Sequence, residues 1–272
     1  MGTLYLVATP IGNLEDVTLR ALRVLREVSL IAAENTLTTR KLLSHYGIKG
    51  RLVSYTDHNK TARIPALLAA LREGDVALVS EAGMPAISDP GVHLVAAAVA
   101  EGITVVPVPG PSAVTSAVAV SGLPARQFTY LGFLPRRSGE RRALLSSLAA
   151  EPRLLVAFES PHRLQSTLAD LLSALGDRRI AVCRELTKLY EEVYHGHISE
   201  AIEHFSEPRG EFTLVIEGAG HGPAAEPDEA TLKVELERLR AAGKGAREAS
   251  AEVAERYGVS RRAVYRLWLE QG

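Results

Sequence analysis

Residues 76–91 read Val76-Ala77-Leu78-Val79, then Ser80-Glu81-Ala82-Gly83-Met84-Pro85-Ala86-Ile87-Ser88-Asp89-Pro90-Gly91, and an alanine- and valine-rich run over 92–100 follows. Four consecutive apolar residues predict a buried strand, and 92–100 predicts the helix after it. The twelve residues between them are long for a connection inside a sheet. Two glycines, two prolines, two acids and two serines make the segment both stiff and polar. Such a loop is built to hold something. The plainer use of Ser88 or Asp89 would be to cap the helix after Gly91.

The same strand–loop–helix rhythm continues on both sides. Toward the N-terminus the pattern predicts strands at 4–8, 28–33 and 52–55. Helices are predicted at 17–26, at 38–45 (stopped by Gly47) and at 64–72. Toward the C-terminus come a strand at 103–108 and a helix at 112–120. Alternation of this kind means a mostly parallel sheet covered by helices. Gly and Pro break the pattern at 122–126. Beyond them, strands at 154–158, 180–183, 192–197 and 212–216 mix with helices at 139–149 and 161–175, which reads as a second α/β domain with some antiparallel pairing. Residues 218–228 read as a linker, and 229–240 and 247–272 as helical. Within 249–268, two short helices broken at Gly258-Val259-Ser260 resemble a helix-turn-helix. The expected fold class is α/β: two α/β domains, 1–122 and 123–220, and a helical extension, 229–272.

Composition narrows the function. The 272 residues are 46% hydrophobic and 23% charged, with a net charge of -1, a soluble globular profile. A general nucleic-acid binder is usually basic overall, so contact with RNA would fall to local patches. Two stand out. Arg136, Arg137, Arg141 and Arg142 fall within seven residues, and arginine's planar fork suits phosphate. Residues 232–272 carry nine Lys/Arg against six Glu, with Arg261 and Arg262 opening the last helix; a dimerisation or capping tail is the alternative there. The single cysteine, Cys183, excludes an internal disulfide and reads as a small core residue. The eight histidines are scattered without metal-ligand spacing. An apolar opening strand with no basic leader, and no apolar run of about 18 residues, predict a cytoplasmic protein with no membrane partner.

In an open α/β sheet, ligands bind beyond the carboxyl ends of the strands. Three loops therefore point to one site: 9–16 with Pro10 and Gly12, 80–91, and 109–113, whose Ser112 is placed to cap the next helix. A fourth, Phe158-Glu159-Ser160-Pro161-His162-Arg163, offers Glu159 and His162 as proton-handling groups, with Ser160 as a helix cap.

Taken together, residues 8–16, 80–91, 106–124, 132–137 and 158–163 resemble the tetrapyrrole-methylase superfamily, over roughly residues 2–218. Within it they resemble the bacterial branch that methylates a cytidine 2'-oxygen in 16S ribosomal RNA. The resemblance implies S-adenosyl-L-methionine in the cleft between two α/β domains. It places the cofactor against Pro10, Gly83, Met84, Pro85, Ile87, Ser88, Ser112, Ala113, Phe133 and Leu186. It further implies a homodimer, and a decoding-region cytidine of 16S rRNA as substrate, within the assembled 30S subunit. Some positions depart from the pattern of that branch. Asn35 and Leu37 stand where aspartate and arginine are usual, Lys60 for glutamate, Glu81 for aspartate, Met84 for threonine and Ala86 for glycine.

Methyl transfer from a sulfonium is an in-line displacement that asks the protein for alignment. A ribose hydroxyl is a weak acid, so a base helps. Glu34, Glu81 and Glu159 are the candidate bases, and Asp89 is read as structural or cofactor-facing. The rivals are a tetrapyrrole or other small-molecule methyltransferase, a weakly catalytic RNA-binding protein, and an unrelated nucleotide-binding α/β protein.

Overall fold

The computed structural model describes residues 1–220, 229–257 and 259–270. Five strands, β1 (Thr3–Val7), β2 (Leu30–Ala33), β3 (Leu52–Ser54), β4 (Val76–Val79) and β5 (Thr104–Val108), form an all-parallel sheet in the order β3-β2-β4-β1-β5. Helices α1 (Leu19–Glu27) and α2 (Thr36–His45) cover one face through Leu22, Leu25, Leu42 and Leu43. Helices α3 (Lys60–Glu73) and α4 (Val92–Ala100) cover the other, where Leu67, Leu71 and Leu94 are buried. Each such leucine contributes roughly 1.5–3 kcal/mol by leaving water. Neighbouring β1 and β4 send the chain in opposite directions, β1 to β2 and β4 to β5. That reversal opens a crevice at their carboxyl ends.

Helix α5 (Ala113–Val120) follows β5 but packs elsewhere. Its Val114, Ala117 and Val118 lie on Leu154, Val156, Ala181, Cys183 and Val215 of a second sheet. That sheet contains β6 (Phe128–Phe133), β7 (Leu154–Glu159), β8 (Arg179–Arg184), β9 (Glu192–His197) and β10 (Phe212–Ile216), in the order β6-β7-β10-β8-β9. Only β6 and β7 pair in parallel; the other pairings are antiparallel. Helices α6 (Ser138–Ser147), α7 (Pro161–Leu175) and α8 (Ile198–His204) bury Leu145, Leu164, Leu168 and Ile198 against its far face. Both sheets belong to one compact unit, Met1–Ala149 with Arg153–Ile216.

The second unit joins Ala150–Pro152 to the chain from Glu217 onward. Its helices α9 (Glu229–Ala241), α10 (Ala246–Tyr257) and α11 (Arg261–Glu270) share a small core of Leu232, Leu236, Leu239, Ala249, Val253 and Val264. Arg240 stacks over Trp268 at 4.2 Å. Residues 221–228 of the expected linker, Gly258 of the expected turn, and the last two residues of the expected extension lie outside the described residues. No helix among the described residues is long and apolar enough to cross a membrane.

Local chemistry explains where elements depart from expectation. Helix α1 starts at Leu19 because the Thr18 hydroxyl accepts from the Ala21 N–H. Helix α3 begins four residues before the predicted 64, with Pro65 in its second turn. Helix α8 was not expected; His197 and Glu200 form a reciprocal cap that supports a two-turn helix. Ser112 and Ser160 stand at N-cap positions but make no capping hydrogen bond, and the cap of α4 is Gly91 rather than Ser88 or Asp89.

Candidate active site

The two strands at the crevice are tied by their loops. Thr9 and Gly83 exchange backbone hydrogen bonds of 2.9 and 3.0 Å. Both loops and the second sheet line one cavity of about 620 Å³. The loop after β4 supplies Glu81, Gly83, Met84, Ile87, Ser88 and Asp89 to its wall. Ile11, Glu34 and Ser112 come from the loops after β1, β2 and β5, and Ala113 opens α5. The second sheet contributes Phe128, Tyr130, Phe133, Phe158, Glu159 and Cys183, and the loop after β8 adds Leu186. Eight of the ten expected cofactor residues thus meet in one cavity; Pro10 and Pro85 shape loops without lining it.

The backbone is strained in two of the loops that reach the cavity. Ala86 and Ser88 hold positive φ of 70° and 62°, as do Glu185 and Thr187 on either side of Leu186 at 50° and 68°. Left-handed backbone costs an L-residue roughly 1–2 kcal/mol, and such positions gather at functional sites. Specific contacts hold them. The hydroxyls of Ser88 and Tyr130 lie 2.7 Å apart, and the Thr187 hydroxyl accepts from the Asn13 N–H at 3.0 Å. A side chain at Gly12 would collide with Lys188 and Thr187, so its bare backbone lets the two loops meet.

One wall is aromatic. Phe158 meets Tyr130 edge-on at 5.4 Å and Phe133 at 5.5 Å, and Phe133 is 59% exposed. The cavity is also lined by carboxylates. Glu34 accepts from the Glu81 N–H at 3.1 Å. Glu81 accepts from the Asn35 side-chain amide at 3.0 Å and the Thr38 hydroxyl at 3.1 Å. Asn35 also caps α2 by accepting from the N–H groups of Leu37 and Thr38. An aspartate at 35 could cap the helix but could not donate to Glu81. The amide suits this chain's neighbouring carboxylates.

Burial pushes the Glu34 carboxyl above its usual range; the Glu81 N–H opposes this, and the charges of Glu81 and Asp57 reinforce it. Asp89 is moved further, up to about 7. Burial is the main cause, the Glu34 charge adds to it, the Ser80 hydroxyl opposes, and the Glu81 charge adds again. Asp89, read from the sequence as structural or cofactor-facing, is thus held above the ordinary carboxylate range by burial and charged neighbours.

Two expectations need correction. Glu159 lines the cavity, but its side chain is fully buried and its oxygens are occupied. They accept from the Thr167 hydroxyl at 2.6 Å and the Ser160 N–H at 2.8 Å, and they pair with Arg163 at 3.3 Å. These contacts anchor the β7–α7 turn. Arg141 is likewise withdrawn from the RNA-facing set. Its side chain is 4% exposed and pairs with Asp170 at 2.6 Å, with further bonds to the Pro135 carbonyl and the Ser166 hydroxyl. Arg163 donates to the Leu134 and Pro135 carbonyls as well. Buried Arg141 and half-buried Arg163 thus fix the turn that presents exposed Arg136 and Arg137, with exposed Arg142 one turn on. Arg137 pairs with Glu140 at 3.1 Å. His162 is exposed and outside the cavity wall. In the C-terminal unit, Arg261 and Arg262 are exposed in the first turn of α11.

Comparison with known proteins places the chain. The tetrapyrrole (corrin/porphyrin) methylase family matches residues 3–202. Ribosomal RNA small subunit methyltransferase I of Halalkalibacterium halodurans is 47% identical over 99% of this chain and 96% of its own length. The protein of the same name from Thermotoga maritima is 55% identical over 80% of this chain and 99% of its own length. Among solved structures, uroporphyrin-III C-methyltransferase from Thermus thermophilus, complexed with S-adenosyl homocysteine, superposes with a TM-score of 0.57 at 24% identity, covering 79% of this chain and 97% of that one. Cobalt precorrin-4 methyltransferase gives 0.59 at 16%, covering 79% and 94%. These two share the fold. The chain belongs to the tetrapyrrole methylase family, in the branch formed by relatives named ribosomal RNA small subunit methyltransferase I.

Proposed function

We propose that this chain transfers a methyl group from S-adenosyl-L-methionine to the 2'-oxygen of a cytidine ribose in the decoding region of 16S rRNA. In this reading it works as a homodimer on the assembled 30S subunit in the cytoplasm. The observation that carries the reading is the cavity at the carboxyl ends of a parallel sheet, lined by both aromatic rings and carboxylates. A cavity of about 620 Å³ falls within the range that encloses small ligands. Aromatic rings suit a purine, and carboxylates suit the positive charge of a sulfonium. Gly83, Met84, Ile87, Ser88, Ser112, Ala113, Phe133 and Leu186 would hold the cofactor, while Pro10 and Pro85 stiffen the loops that carry them. When bound, S-adenosylmethionine supplies an electrophilic methyl group. The protein's part is alignment and exclusion of water. Glu34 and Glu81 form the negative edge of the site.

The relatives support an RNA substrate over a small molecule. Those matched over nearly the whole chain are named for ribosomal RNA, whereas the porphyrin- and precorrin-named structures share only 16–24% identity. Arg136, Arg137 and Arg142 would take phosphates beside the cavity's domain, and Arg261 and Arg262 would do so from the helical extension. The domain limits 1–122, 123–220 and 229–272 suit this division of labour between cofactor, cleft and RNA.

The test is to incubate the protein with radiolabelled S-adenosylmethionine and 30S subunits lacking ribose methylation, then map the label by mass spectrometry. A methyl on a decoding-region cytidine ribose is expected. Label on a base, or none on 30S despite cofactor binding, would sink the reading.

A further inference from the structure

Five carboxylates line the cavity: Glu34, Glu81, Asp89, Glu159 and Glu211. Four have firm partners. Glu159 is enclosed by Thr167, Ser160 and Arg163. Glu211 pairs with Lys188 at 2.9 Å. Glu81 is held by Asn35 and Thr38, and Glu34 accepts a backbone N–H. Asp89 has the Ser80 hydroxyl, whose one hydrogen is shared with the Ala82 and Gly83 carbonyls at 3.3 and 3.2 Å. It is also the carboxylate on the strained Ala86–Asp89 segment, which the Ser88–Tyr130 contact fastens to the second sheet.

From this arrangement we infer that Asp89 is the catalytic residue that takes the proton from the ribose hydroxyl. The inference rests on the ribose-methylation reading above. The ribose oxygen bonds to the methyl carbon as that carbon's bond to sulfur breaks. The bonding pair stays on sulfur, and the hydroxyl proton passes to an Asp89 oxygen and on to water. Burial raises the affinity of Asp89 for a proton, and the negative charges of Glu34 and Glu81 add to it, so these two act through Asp89. Tyr130 faces it from β6, where its phenol is raised by burial, lowered by Ser88 and raised by the Asp89 charge. A base whose pKa lies near the working pH is the most effective kind.

The test is a pH profile of single-turnover methyl transfer to 30S subunits, with cofactor affinity measured by calorimetry. The wild-type rate should rise through about pH 7 and then level. Asp89→Asn should lower the rate by a factor on the order of 10²–10⁴ and abolish that limb while still binding cofactor. Glu34→Gln and Glu81→Gln should each move the limb to lower pH, a shift that a merely structural role would not produce. If the wild type methylates ribose and Asp89→Asn keeps both rate and limb, the assignment of Asp89 is overturned by itself. An unmoved limb in both glutamine variants overturns it too, even if Asp89→Asn fails to fold. Wild-type label away from ribose would instead overturn the parent reading, and this inference with it.

Discussion

The hydroxyls of Ser88 and Tyr130 meet at 2.7 Å, joining a left-handed residue of the β4–α4 loop to a strand of the second sheet. Gly132 is part of the same contact, since a side chain there would come within 3.1 Å of the Ser88 oxygen. Tyr130→Phe removes this bond while keeping the ring against Phe158. One such hydrogen bond contributes about 0.5–1.5 kcal/mol. S-adenosylmethionine affinity, read by calorimetry, should weaken by roughly twofold to tenfold. Unchanged affinity would mean the loop is held by its backbone alone.

Gly91 and Ala86 form a second tight contact in that loop. A Cβ on Gly91 would lie 2.8 Å from the Ala86 Cβ and 3.1 Å from its backbone. Gly91→Ala should therefore destabilise the protein by about 1–3 kcal/mol in urea unfolding. Adding Ala86→Gly removes the closest atom and relieves the positive φ at 86. The double variant should recover part of the loss, and strict additivity of the two changes would refute the contact.

The arginine cluster should divide by function. Arg141→Ala empties a buried site and leaves the half-buried Asp170 without its partner, and should cost roughly 2–4 kcal/mol of stability. Arg136→Ala and Arg142→Ala should leave the melting temperature nearly unchanged. Each should make the salt dependence of 30S binding shallower by about one unit of slope if it meets a phosphate. A stable Arg141→Ala protein with weakened 30S binding would reverse this division.

Asp89 also carries a stability signature. Its folded-state carboxyl is raised from 3.8 to about 7, so in that window the folded chain holds a proton that the unfolded chain releases. Stability therefore falls as pH climbs from about 4 to 7, and the deficit persists above that. Asp89→Asn removes the ionisation and should melt higher than wild type at pH 8, with the gap closing toward pH 4. Parallel melting curves across that range would show Asp89 ionising normally.

How far the sequence could be read varied with the physics involved. Strands such as Val76–Val79 and Phe212–Ile216 were legible because unbroken β-branched and apolar runs fit a strand buried on both faces. The loop after β4 was legible from glycine, proline and sheer length. Glu159 misled because its fate depends on Thr167, which only the packed helix brings beside it. Asp89 was undervalued because desolvation and neighbouring charge arise in three dimensions. The burial of Arg141 left a trace, however. It lies three, four and seven residues before Leu144, Leu145 and Leu148, on the apolar stripe of α6, and helical period rather than charge density was the better guide. The aromatic wall fell between the two kinds of signal. Tyr130 and Phe158 come from paired strands, and a bulge between Tyr130 and Gly132 alters the register that simple alternation assumes.

Cys183 is the chain's one thiol, 1% exposed at the edge of the cavity, with burial pushing its pKa up to about 12. At neutral pH almost none of it is thiolate, the form that reacts with maleimides and oxidants. The molecule thus arrives with a silent background for chemical labelling. A cysteine placed at an exposed site, such as Arg137→Cys beside the cavity's arginine turn, would be the one position to accept a dye or a crosslinker. That would let the approach of a ribosomal particle be followed by fluorescence or captured covalently, with no native thiol to remove first.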